Sequence, residues 1–325
     1  MAWAILLDCA ATRAAPRAGA PRCGGIAGGY PHEARRRRCR LTQDRYGGNI
    51  QAPIERTPLP DWPYEELLYE TIDNGRIALI TMNRPERMNS SDPEMGQRWY
   101  DAWTTFANDD EQWVAIVTGA GDRAFSAGQD LKIRAELEQE GGDAPYQRRA
   151  PNVTPLGEKL GCWKPTIAAI NGFAIAGGWA TAQNCTFRIA EEHAEMNIAE
   201  ARWNQGAGFV AWLPRLMHTA HALEVCIMGD RRVSAQRAYE MGFVNKVVPK
   251  GGSVEEAVDW ARTITRMAPR AVQNFHQLIY QCWNQSIPES QATASALEFN
   301  LRGMEDSLEG PLAFAEKRPA VFKNR

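Results

Sequence analysis

Lys164-Pro165-Thr166-Ile167-Ala168-Ala169-Ile170-Asn171-Gly172-Phe173-Ala174-Ile175-Ala176-Gly177-Gly178 is the stretch that decides how this chain folds. Residues 166–170 are apolar at nearly every position, as in a strand buried on both faces of a parallel sheet, and Asn171-Gly172 ends the run with a turn signal. Ala176-Gly177-Gly178 then opens a helical pattern predicted over 179–185. A turn that opens a helix leaves backbone N–H groups unpaired, and glycine lets a ligand come close to them. An earlier stretch repeats the order: an apolar run over 113–118 leads into Ala124-Phe125-Ser126-Ala127-Gly128-Gln129-Asp130-Leu131. Two N–H groups aimed at one oxygen make an oxyanion hole, which stabilises an enolate or a tetrahedral anion by about 3–4 kcal/mol per donor. Taken alone, each loop reads first as a tight turn without a ligand. Neither matches GxGxxG or GxxxxGK[ST], which argues against nucleotide sites of those types.

Outward from these loops, 77–82 reads as an apolar strand closed by Asn83 and Pro85. Residues 93–108 carry Met95, Trp99, Ala102, Trp103 and Phe106 on one helical face. Strand, helix and strand 113–118 make a βαβ unit with a right-handed crossover. Helices are predicted over 222–228, 234–241 and 254–267, with a short strand over 244–248, and then over 271–283 and 292–306. Of 325 residues, 37 are Lys or Arg and 39 are Asp or Glu, so no global field favours nucleic acid or an anionic membrane, and an anionic ligand must be held locally. The seven cysteines lack CxxC spacing and the density of a disulfide scaffold, which points to a reducing cytoplasm. No run approaches the roughly 20 apolar residues of a membrane span. Residues 10–56 are rich in Ala, Gly and Arg and include Arg35-Arg36-Arg37-Arg38 without any period that could bury a face, so disorder is expected there. The segment reads as an extension outside the domain, with a transit peptide or a basic nucleic-acid tail as the functional alternatives.

Together these residues resemble the crotonase, or enoyl-CoA hydratase/isomerase, superfamily. The resemblance runs from about Leu68 to Arg325, through Ile80-Thr81-Met82-Asn83-Arg84-Pro85-Glu86, Val117-Thr118-Gly119-Ala120-Gly121, both loops, the stretch from Lys164, and Glu316-Lys317-Arg318. It implies an α/β fold with a crotonase-type ββα spiral core and a helical C-terminal trimerisation region. The expected division is a largely disordered extension over 1–60, the spiral core over 61–255 and the helical region over 256–325. The family's oxyanion donors fall on the N–H groups of Ala127 and Gly177. Its CoA-binding segment falls on Ala127, Gly128, Gln129 and Asp130, and Phe314 and Lys317 match positions that reach a neighbouring subunit's CoA. The implied partners are an acyl-CoA substrate and other copies of the chain, as a homotrimer or dimer of trimers, with no nucleic acid and no membrane. No permanently bound cofactor is implied, and coenzyme A arrives as part of the thioester.

The acid and base decide the reaction. Family hydratases use two glutamates across the bound enoyl group; the later falls on Glu200, in Met196-Asn197-Ile198-Ala199-Glu200, but the earlier falls on Ala180, which cannot move a proton. One carboxylate suffices to carry a proton between two carbons of an enolate, as in the family's single-glutamate enoyl-CoA isomerases. The loop Gln205-Gly206-Ala207-Gly208-Phe209 also departs from the family's Pro-Gly-x-Gly run. Trp179 and Trp203 flank the two acid positions and read either as walls of an acyl pocket or as core packing. His193, His218 and His221 show no zinc spacing, so no metal is expected, and Ser126 lies in no Gly-x-Ser-x-Gly elbow. Asp130 is expected to tie its own loop. The expected function is thus an enoyl-CoA hydratase/isomerase-family enzyme that stabilises an enolate, with Glu200 as its acid/base. A single-glutamate isomerase, a C–C hydrolase or decarboxylase, and a weakly catalytic acyl-CoA-binding module stand as alternatives.

Overall fold

Alternate residues of the long apolar strands face two different cores. The computed structural model describes residues 52–139 and 160–325. A seven-stranded sheet runs in the order β1 (Thr57–Pro58), β2 (Leu67–Ile72), β3 (Ile77–Met82), β4 (Val114–Gly119), β6 (Thr166–Ile170), β8 (Phe187–Glu191) and β11 (Lys246–Val248). From β3 to β11 the strands are parallel, and β1 and β2 pair antiparallel at one edge. Ile77, Leu79, Val114, Ile116, Ile167 and Ala169 face one core together with Ala257, Val258 and Ala261 of the helix Ser253–Ile264. Ala78, Ile80, Met82, Ala115, Val117, Ala168 and Ile170 face the other, which contains Phe125, Trp179 and Phe243. Strands covered on both faces must be apolar throughout, as the sequence has them.

The second core lies beneath a four-stranded sheet ordered β10 (Val233–Ser234), β9 (Glu195–Asn197), β7 (Phe173–Ile175), β5 (Ala124–Ser126). These short strands fall in segments the sequence presents as loops and connections. Three residues are too few to show a period of two. The chain therefore repeats one unit, a strand in the large sheet, a strand in the small sheet, then a helical turn. β4 and β5 lead to helix α2 (Leu131–Gln139), β6 and β7 to α3 (Gly177–Asn184), and β8 and β9 to a 3-10 turn at Glu200–Trp203. This is the expected ββα spiral, and it delivers the starts of three helical turns in succession.

Ahead of these units, α1 (Met95–Asn108) packs on the core, and the Lys164 ammonium closes its C-terminus by donating to the carbonyls of Phe106, Ala107 and Asp109 at 2.8, 3.3 and 2.7 Å. A cation there complements the helix dipole. After the 3-10 turn come α4 (Leu213–Leu216), α5 (Thr219–Ile227), α6 (Ala235–Glu240), α7 (Ser253–Ile264), α8 (Pro269–Gln281), α9 (Ile287–Phe299) and α10 (Glu305–Glu316). The helix expected over 292–306 is instead two. Gly303, at φ +86°, and the extended Met304 separate α9 from α10, whose start is fixed by Asp306 accepting the N–H groups of Lys323 and Asn324, both at 2.8 Å. Residues 1–51 of the expected extension lie outside the described residues. The rest of it is ordered: β1 pairs with β2, and Arg262 donates to the carbonyls of Ala52 and Pro53 while pairing with Asp73. The ordered chain thus begins earlier than residue 61. Among the described residues no helix is long and apolar enough to cross a membrane.

Candidate active site

The two glycine loops lie against each other. Gly128 adopts φ +80°, and a methyl group on it would stand 2.7 Å from the Gly177 nitrogen. A methyl on Gly177 would stand 3.8 Å from the Gln129 nitrogen, and one on Gly178 2.0 Å from the Ser126 carbonyl oxygen. At positions 128 and 178 only glycine permits this contact. Gly177 is the first residue of α3, so its N–H has no partner within the helix. The preceding Ala176, at φ 53° and ψ −118°, makes the sharp change from β7 to α3 and is held there by its N–H donating to the Asn197 carbonyl at 2.9 Å.

On the first loop the structure corrects the expected donor. The Ala127 N–H donates to the Met88 carbonyl at 2.9 Å, and the Asp130 N–H to the Ser91 carbonyl at 2.9 Å, so both face the 88–91 segment. The Gly128 carbonyl also turns that way, accepting the Ser91 N–H at 2.7 Å, whereas the Gly128 N–H donates to Ser126 Oγ at 3.1 Å. The left-handed Gly128 reverses the ribbon between Ala127 and Gln129. The Gln129 N–H, not that of Ala127, is left without a hydrogen-bond partner among the described residues, on the side of Gly177. Sequence reading missed this because a motif shows where the glycine is, not which neighbouring N–H it turns outward.

Asp130 behaves as expected of a loop-tying residue. It is buried, its Oδ1 accepts the N–H groups of Lys132 and Ile133 at the start of α2, and its Oδ2 is 3.7 Å from Arg84. Asn89 completes the scaffold. Its Nδ2 donates to the carbonyls of Ala120 and Ala124 and its Oδ1 accepts the Arg84 N–H, which ties the 84–91 turn to β4 and β5. Phe314 and Lys317 stand exposed at the end of α10 and, among the described residues, make no hydrogen bond to the 127–130 loop: the Lys317 N–H turns back to the Phe314 carbonyl.

Glu200 opens the 3-10 turn after β9 and is only 9% exposed. Its Oε2 is buried with no hydrogen-bond partner among the described residues. Burial pushes the carboxyl above its ordinary range, against the weaker pull of its own N–H and that of Ala199. Cys226, on α5, has its thiol pushed up by burial and then by the charge of Glu200, so α5 stands within electrostatic reach of the carboxylate. Ala180, on the first turn of α3, offers a methyl group and no acid. Trp179 is fully buried and stacks on Phe243 with centroids 4.1 Å apart, which makes it core rather than pocket wall. Its Nε1 donates to Gln183, whose Nε2 holds the Phe209 carbonyl at 2.9 Å and so anchors the loop after Glu200. Trp203 is 53% exposed, with the Arg202 guanidinium 5.1 Å from its ring.

Two glycine loops in contact, each leaving an N–H unpaired among the described residues, with a buried carboxyl on the next unit of the spiral, suit chemistry at a polarised carbonyl. The sequence profile of the Enoyl-CoA hydratase/isomerase family matches residues 72–325. The chain belongs to that family. Enzymes of the enoyl-CoA hydratase/isomerase family act on CoA thioesters, and this chain is one of them. It is 35% identical to a carnitinyl-CoA dehydratase of Salmonella typhi over 259 residues, 78% of this chain and 97% of that protein. It is 33% identical to the (E)-benzylidenesuccinyl-CoA hydratase of Thauera aromatica over 252 residues, 77% and 96% of the two chains. Among solved structures, an enoyl-CoA hydratase of Mycobacterium marinum superposes with a TM-score of 0.69 at 31% identity, covering 81% of this chain and 100% of the other.

Proposed function

We propose that this family member shifts the double bond of an enoyl-CoA through an enolate, with Glu200 as the single proton carrier. The observation that carries the reading is the pairing of a buried carboxyl at Glu200 with a methyl group at Ala180. The thioester oxygen accepts the N–H groups of Gln129 and Gly177. Glu200, as the carboxylate, takes a proton from the α or γ carbon, and the electron pair moves onto that oxygen. The carboxyl then returns a proton to the other carbon, and the thioester carbonyl re-forms. Each donor contributes about 3–4 kcal/mol to holding the anion, which is what allows one carboxylate to serve both carbons. The residue 127–130 loop is the proposed CoA-binding edge. The exposed apolar faces of α8 to α10 support assembly into a trimer or a dimer of trimers, in which Phe314 and Lys317 serve a neighbour's CoA.

Hydration is the second reading, favoured by relatives named as a dehydratase and a hydratase. Product analysis separates the two. A 3-enoyl-CoA incubated with the protein is expected to yield the 2-enoyl isomer faster than a 2-enoyl-CoA yields a 3-hydroxyacyl-CoA; the reverse order establishes the hydratase. Glu200→Gln is expected to abolish turnover while calorimetry still shows acyl-CoA binding, and unchanged turnover removes Glu200 from its role. Because burial raises the Glu200 carboxyl and the base must start ionised, kcat/KM should rise with pH through a midpoint above the ordinary glutamate value of about 4.3. A midpoint at or below that value contradicts the assignment.

A further inference from the structure

Asn197 closes β9 and is 5% exposed. Its backbone carbonyl accepts the Ala176 N–H at 2.9 Å, immediately before the Gly177 donor. Its side-chain Nδ2 donates to the Gly229 carbonyl at 2.6 Å, on the linker between α5 and β10. Three residues on is Glu200. One residue therefore touches the oxyanion turn with its backbone and, with its side chain, the linker that backs the acid/base turn. Gly229 fits closely: a methyl group there would stand 3.1 Å from the Ile198 carbonyl oxygen and 3.6 Å from Ala199 Cα. The linker thus lies directly on the two residues that join Asn197 to Glu200. Asp230 extends the contact by pairing with Arg202 at 3.1 Å.

The carboxamide holds this position at a cost. Its Oδ1 is buried with no partner among the described residues, as is Glu200 Oε2, so two orphaned acceptors fall within four residues. A buried acceptor without a donor costs about 1–3 kcal/mol, and a small or apolar side chain at 197 would avoid it. A carboxamide in that setting is explained by its donor, which reaches Gly229. We infer that Asn197 is a positioning residue: by clamping Gly229 it fixes the distance between the Gly177 N–H and the Glu200 carboxyl. This rests on the proton-transfer reading above. A misplacement of about 1 Å at a reacting centre can cost about 100-fold in rate, whereas binding of the CoA moiety by the other loop is untouched.

The test compares Asn197→Asp and Asn197→Ala with the wild type and Glu200→Gln, using a 3-enoyl-CoA. Asn197→Asp keeps the shape but turns an oxygen toward the Gly229 carbonyl; Asn197→Ala removes the clamp and the orphaned acceptor together. Both are expected to lower kcat by about 10- to 100-fold with KM within about twofold, and the added charge of Asn197→Asp should move the pH midpoint of kcat/KM upward. Gly229→Ala, which presses the same segment from behind, should lower kcat less, and non-additively with Asn197→Ala. Should an Asn197 variant fail to fold, this smaller loss of kcat at unchanged KM in folded Gly229→Ala carries the test, and wild-type kcat there overturns the inference. Wild-type kcat in the folded variants overturns the inference, as does a loss matched by a lower folded fraction in circular dichroism. If Glu200→Gln abolishes turnover and the Asn197 variants do not slow it, only the positioning role fails. If Glu200→Gln retains turnover, the acid/base reading fails and the inference with it.

Discussion

At the scale of single residues, the Gln129 side chain is replaceable if the proposed donor is its backbone N–H. Gln129→Ala keeps that N–H and should hold kcat within a few-fold of wild type. Gln129→Pro removes it and should cost about 100- to 1,000-fold, the loss seen when one oxyanion donor is deleted. Equal rates in the two folded variants would return the donor to another residue. Gly178 poses a contest between two known effects. Replacing glycine by alanine inside a helix ordinarily gains up to about 1 kcal/mol. Here the new methyl group would meet the Ser126 carbonyl oxygen at 2.0 Å, and that oxygen is backbone in a buried strand that cannot swing away. Overpacking costs about 1–3 kcal/mol or more, so Gly178→Ala should destabilise by about 3 kcal/mol in denaturant melts and separate the two loops. A neutral or stabilising change would mean that the loops are not in contact.

At the scale of elements, the buried strands and amphipathic helices were legible because their apolar periods are long. The run at 77–82 became β3 without adjustment, and the helix read over 93–108 became α1 within two residues. β5, β7 and β9 were not, since three-residue strands are defined by their partners in the second sheet rather than by a period. The break between α9 and α10 escaped for the opposite reason: apolar spacing continues through it, and only the left-handed Gly303 and the return of residues 323–324 to Asp306 end the helix. The site was legible to the extent that its residue types are constrained. Gly177 and Glu200 carry their proposed roles from the motif, whereas the proposed roles of the Gln129 N–H as a donor and of Asn197 as a positioning residue depend on groups or partners that composition does not reveal. His276 shows a related dependence on context, because it docks α8 on the core. Its Nδ1 lies 2.9 Å from the Trp163 carbonyl and its Nε2 3.3 Å from Thr186 Oγ1, with the Tyr280 ring beside it. Burial lowers its pKa more than the Trp163 carbonyl raises it. The unfolded chain then takes up the proton first as pH falls. The stabilising contribution is complete above about 6.5 and is lost as pH drops below that toward the folded value. Thermal melts between pH 7.5 and 5.5 should show a fall in stability that is smaller in His276→Gln, and an identical fall would place the titration elsewhere.

At the scale of the whole molecule, the C-terminal helices leave large apolar side chains in solvent at helical spacing. Phe275 and Ile279 share a face of α8, and Leu308 and Leu312 share one of α10, where Leu308 is 76% and Phe314 85% exposed; Ile287 and Phe299 add to them on α9. Single exposed leucines need no explanation, but a run of this kind across three successive helices is what a buried interface between chains would present. The core contacts of α8 are made by the adjacent face, where His276 and Tyr280 meet Trp163 and Thr186. Light scattering of the purified protein is expected to give the mass of three or six chains. Leu308→Glu combined with Leu312→Glu should release smaller species, since each buries a charge that no nearby partner neutralises. If Phe314 and Lys317 serve a neighbour's CoA, the dissociated protein should also bind acyl-CoA more weakly while Lys317→Ala in the intact assembly weakens binding without dissociation. A wild-type monomer, or dissociation that leaves acyl-CoA affinity unchanged, would place the whole CoA site within one chain.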